Sequence, residues 1–122
     1  MPHKPAIGVI VALAMLIGNE SKAQVSTILS GGYASCAQLE EKNAFNVEQP
    51  NMQWLLGYLS GAAAMSMSFD LAAGQSSSRL SDKLAQYDYD DWVTMAHARC
   101  IARPQQKLYE VANAIVSELN EP

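Results

Sequence analysis

The chain is short of charge, of aromatic residues and of cysteine. Of its 122 residues 16% are charged, 7% are aromatic, two are cysteine and two are histidine. Eight Lys and Arg stand against twelve Asp and Glu. With so few cations there is no basic stripe to neutralise phosphates, so nucleic-acid binding is not expected. Nor is there a cationic amphipathic segment to hold the chain on anionic lipid. His97 is the only histidine after His3, so any histidine-centred triad would have to be built around it. Ser66 and Ser68 lack a nucleophile-elbow context. The cluster Asp88, Asp90, Asp91 lacks the glycine and the distal glutamate of a calcium loop; capping and solvation of a helix start account for it. No catalytic residue, metal site or cofactor is expected.

Uncharged runs are few, and the first lies at the start. Residues 6–18 are uncharged and mostly apolar, preceded by Lys4 and followed by Asn19, Glu20, Ser21, Lys22 and Ala23. A basic start, an apolar stretch and a small-x-small site are the three parts of a secretory signal peptide, with cleavage expected after Ala23. Thirteen helical residues reach about 20 Å, short of the ~30 Å hydrocarbon core, which makes a retained anchor the weaker reading. The expected product is a single domain over 24–122, periplasmic or secreted. It carries six basic and eleven acidic residues, a net charge of −5.

Export changes what two cysteines mean. Cys36 and Cys100 both fall in 24–122, no third thiol competes, and an oxidising compartment favours a disulfide between them. A redox pair is disfavoured because no C-x-x-C spacing exists. A metal site is disfavoured because His97 and the nearby carboxylates lack a second ligand cluster.

The remainder reads as helices joined by polar loops. Residues 24–32 form an extended entry ended by Gly31 and Gly32, and a short helix over 33–42 carries Cys36. Pro50 or Asn51 opens a second helix over 51–71. On it Met52, Leu55, Leu56, Leu59, Ala62, Ala63 and Ser66 follow the spacing of a buried face. Nothing between Glu48 and Asp70 is charged. A transmembrane span is the sharp alternative, but its strongly apolar part is shorter than ~20 residues, so a core helix is preferred. Gly57 and Gly61 are spaced as G-x-x-x-G, read as a small face that admits a neighbouring backbone.

Beyond it, Gly74, Gln75, Ser76, Ser77 and Ser78 form a small-residue loop expected to be mobile. A short turn over 79–87 is anchored by Leu80 and Leu84. A helix over 88–102 has Trp92, Val93, Ala96 and Cys100 on one face, and His97 at its border. The last helix, 104–119, buries Leu108, Val111, Ala112, Ile115, Val116 and Leu119. No segment alternates with period two. The fold class is all-α, a single small bundle of four to five helices stapled by one disulfide.

At these residues the chain resembles two kinds of known protein. Cys36-Ala37-Gln38-Leu39, the stretch from Trp54 to Gly61, a helix ending at Cys100 and a proline-opened amphipathic helix look like the small periplasmic HdeA acid-stress chaperones. Gly57-Tyr58-Leu59-Ser60-Gly61, with the run from Arg103-Pro104 through Leu119, also resembles the Tai-type proteins that neutralise type VI secreted amidases. The first resemblance implies a homodimer that exposes apolar surface in acid to hold client proteins. It needs carboxylates such as Glu40, Glu41, Asp88, Asp90, Asp91, Glu110 and Glu118, whose protonation turns the net charge positive below about pH 4. The second implies an exposed loop for an effector's cleft, for which Gly74 to Ser78 is the candidate. Trp54, Tyr58, Met65, Met67 and Trp92 are candidates for a partner or ligand groove, since such side chains suit adaptable interfaces, with core packing as the competing role. The expected function is a non-catalytic protein that binds another protein, chaperone-like or immunity-like. A small apolar ligand held along the second helix is the further alternative.

Overall fold

A computed structural model describes residues 31–122. The signal peptide expected over 1–23 and most of the entry segment lie outside the described residues. Five helices follow in order: α1 (Cys36–Glu41), α2 (Pro50–Ala72), α3 (Arg79–Leu84), α4 (Tyr89–Ala102) and α5 (Leu108–Leu119). Among the described residues there is no strand, only an isolated antiparallel bridge between Ser35 and Lys107. The all-α bundle expected from periodicity is the fold observed.

Local chemistry explains where the helices begin. Ser35 caps α1: its hydroxyl accepts the Gln38 N–H at 3.2 Å, and Gln38 Oε1 accepts the Ser35 N–H at 2.9 Å. Asp88 and Asp91 make the same reciprocal pair at the start of α4, at 2.8 and 3.1 Å. Pro50 occupies the first turn of α2, where a missing N–H costs nothing. Asn43, at φ 53°, turns the chain out of α1, a left-handed conformation that Asn tolerates better than most residues.

α2 is the central element, lying against α3, α4 and α5. Leu39 of α1, Met52, Leu55 and Leu59 of α2, Leu84 of α3, and Leu108, Val111 and Ile115 of α5 are among the largest fully buried side chains. Trp92, Val93, Ala96 and Cys100 supply the buried face of α4, as the spacing predicts. Cys36 and Cys100 are bonded, with Cα atoms 5.0 Å apart across 64 residues of sequence, and they fasten α1 to α4.

Two boundaries differ from expectation. α1 begins at Cys36 rather than Tyr33, and α5 at Leu108 rather than Pro104. One cause serves both, because the two segments pair through their backbones. Leu108 N–H donates to Ala34 O at 2.9 Å, Tyr109 N–H to Gly32 O at 2.8 Å and Cys36 N–H to Gln106 O at 2.8 Å. Backbone groups committed to that pairing are not available to a helical turn. Among the described residues no helix is long and apolar enough to cross a membrane.

Candidate functional site

α2 gives one side to the core and leaves the other in solvent. Met52, Leu55, Leu56 and Leu59 are buried, and Ala62, Ala63 and Ser66 are half-buried along the same side. Opposite them Gln53, Gly57, Ser60, Gly61, Ala64, Met65, Ser68 and Phe69 are exposed. At 3.6 residues per turn, Gly57, Gly61, Ala64, Met65 and Ser68 fall in one sector. That sector carries no charge. Met65 is 64% exposed, Phe69 69% and Leu71 52%. Scattered apolar residues on a surface are ordinary, but a charge-free sector with large side chains one turn apart is the kind of patch that marks an interaction site.

The reading of Gly57 and Gly61 as an internal packing face needs correction. Both are exposed, and among the described residues nothing lies within 4 Å of the position a Cβ would occupy on either. Among the described residues no helix makes use of their small size. The cost remains, since glycine in a helix interior is about 0.5–1 kcal/mol less favourable than alanine.

The N-terminal part of this face opens into a cleft of about 620 Å³ between α2 and the start of α4. Gln53, Leu56, Gly57 and Ser60 line one wall, Asp88, Tyr89 and Asp90 the other, with Val47 from the preceding loop. Tyr89 is 57% exposed, its ring set edge-on to Trp92 with centroids 5.2 Å apart. The Asp88 carboxylate is occupied in capping α4, whereas that of Asp90 has no hydrogen-bond partner among the described residues. Two carboxylates and no cation line the cleft.

The chain matches no protein-family model, no curated protein and no solved structure.

The remaining candidates divide between surface and interior. Met67 is exposed, as are Gly74, Gln75, Ser76 and Ser77. Ser78 is not part of the exposed tip: it is fully buried and its hydroxyl donates to Ser66 Oγ at 3.1 Å. The loop is also held close to α2, where Gly74 at φ +86° reverses the chain and Gln75 N–H donates to Asp70 O at 2.9 Å. Trp92 belongs to the core rather than to a groove. Its indole N–H donates to Leu84 O at 3.2 Å, tying α4 to α3. Trp54 is half-buried, stacked on Tyr58 at 5.2 Å and covered by the backbone of Gly31 and Gly32. The Tyr58 hydroxyl bonds Asn113 Oδ1 and links α2 to α5.

One arrangement escaped the sequence reading. His97 Nε2 lies 2.6 Å from Glu40 Oε2, and its ring stacks on Phe45 with centroids 4.1 Å apart. The spacing on α4 puts His97 at the border of the buried face, but nothing local indicates Glu40, 57 residues away, as its partner. The pair stands beside the Cys36–Cys100 bond and adds a second, exposed tie between α1 and α4. Exposed pairs of this kind contribute about 0–1 kcal/mol, so the disulfide dominates this junction.

Proposed function

We propose that this chain is an exported, non-catalytic protein that binds another protein through the outer face of α2. The observation that carries the reading is the exposure of Met65 and Phe69, one turn apart, on a helix side without charge. A side chain of that size left in water forgoes about 1.5–3 kcal/mol of burial, which a partner recovers on docking. The Cys36–Cys100 bond supports work in an oxidising compartment, periplasmic or extracellular, where such a bond persists.

Within this reading the acid-chaperone form comes first. Residues 31–122 hold eleven carboxylates against six Lys and Arg, so acid reverses the sign of the charge on a domain that already shows apolar surface. Of the carboxylates, Glu40 bonds His97, Asp88 and Asp91 cap α4, and Glu118 pairs with Arg99. The immunity form rests on the exposed tip from Gly74 to Ser77.

Site-directed photocrosslinking in cells tests the reading. A photoreactive residue at Met65 is expected to give a discrete adduct with another polypeptide. The same residue at Ser117, exposed on α5, is expected to give none. Equal labelling at both positions, or none at Met65, contradicts it.

A further inference from the structure

We infer that the cleft between α2 and the start of α4 receives a basic amphipathic helix of a partner protein, small and apolar side chains seated over Gly57 and Gly61 and Lys or Arg reaching Asp88 and Asp90. The inference rests on the protein-binding reading above and specifies the partner's chemistry.

Three observations converge on this occupant. Gly57 and Gly61 are interior positions of a 23-residue helix where no neighbour among the described residues uses the missing side chain. Their value is close approach, and a docked helix is the element that needs it. The exposed stretch from Gln53 to Phe69 covers 16 residue steps, about 24 Å, which matches a helical segment of four to five turns. The cleft lies along the N-terminal part of this stretch, where Tyr89 supplies an exposed ring and Asp88 and Asp90 supply negative charge.

Charge decides between possible helices. The cleft lining holds no Lys or Arg, and three of the six cations in residues 31–122 are engaged elsewhere. Arg99 pairs with Glu118, while Arg79 and Lys83 donate to the backbone carbonyls of Asn120 and Glu121. A second copy of this chain would bring an uncharged face with acidic ends and leave these carboxylates without a cation. A partner helix with cations on one flank answers them, and its approach is steered by the negative net charge.

The test titrates the isotope-labelled full chain with an 18-residue amphipathic peptide of Leu, Ala and Lys, and with a twin carrying Glu for Lys. The Lys peptide is expected to shift the amides of Gly57, Ser60, Gly61 and Tyr89, and the Glu twin to leave them unmoved. Affinity for the Lys peptide should fall at least tenfold in Gly57→Leu, which adds bulk where there is open space, and in Asp90→Lys. Glu41→Lys, exposed on α1, should keep it within threefold. Binding of both peptides alike, equal loss in Glu41→Lys, or amide shifts confined to other faces overturns the inference. A dimer by sedimentation that Gly57→Leu dissociates also overturns it, because the occupant is then a second copy. If Met65 photocrosslinks to a segment that is not basic, this inference fails while the protein-binding reading stands; without any Met65 adduct, both fail.

Discussion

A Cβ built on Gly32 would sit 2.5 Å from Cη2 of the Trp54 indole, and one on Gly31 would sit 2.6 Å from the Trp54 Cβ. The two glycines form a backbone lid over the first turns of α2. Asn51 fastens it, its side-chain amide donating to Gly31 O at 2.8 Å. Gly32→Ala must displace either the indole or the backbone pairing with Tyr109, and should destabilise the domain by about 1–3 kcal/mol. Urea unfolding followed by tryptophan fluorescence measures this. A loss under about 0.5 kcal/mol would mean that the ring moves freely.

Gly57 and Gly61 behave in the opposite way. Each lies in a helix with open space where the side chain would go, so Gly57→Ala and Gly61→Ala should each stabilise the domain by about 0.5–1 kcal/mol through reduced unfolded-state entropy and better helix propensity. The double variant should approach the sum. Destabilisation would show that these positions pack inside the bundle after all.

The contrast shows how far sequence pattern reaches. Periodicity located α2, α4 and α5, because each buries one face in a core whose members recur every three or four residues, as Leu108, Val111, Ala112 and Ile115 do. The disulfide was legible because two cysteines allow one pairing. Direction was not. The pattern G-x-x-x-G states that a backbone is accessible, not which molecule approaches it, and the face proved to point outward. The Gly32–Trp54, Tyr58–Asn113 and Glu40–His97 contacts were also hidden, since each joins residues that only the tertiary fold brings together. The start of α5 moved for the same reason: Ala34 and Gly32, more than seventy residues earlier, accept the N–H groups of Leu108 and Tyr109.

Between α1 and α4 the covalent tie should outweigh the polar one. Replacing Cys36 and Cys100 by serine should cost about 2–4 kcal/mol, as expected for a bridge closing a long loop. Glu40→Gln should cost less than about 1 kcal/mol, its carboxylate being largely in water. Equilibrium unfolding of the two variants side by side gives the ratio. A larger effect of Glu40→Gln would reverse the ranking.

Ser66 and Ser78 provide a test of buried polar pairing. Ser66→Ala removes the acceptor of the fully buried Ser78 hydroxyl and should cost about 1–3 kcal/mol. Adding Ser78→Ala removes the orphaned group and should recover part of that loss. A double-mutant cycle reads the coupling directly. Strict additivity would show that the hydroxyls act independently.

If α2 presents its outer face to another protein, that face should be separable from what folds the domain. Photocrosslinking from Met65 in the Gly57→Leu background tests it most directly, with the unfolding midpoint recorded on the same material. The expected result is a folded domain with an unchanged or higher midpoint and a lost adduct. A folded Gly57→Leu domain that still gives the full Met65 adduct would contradict it.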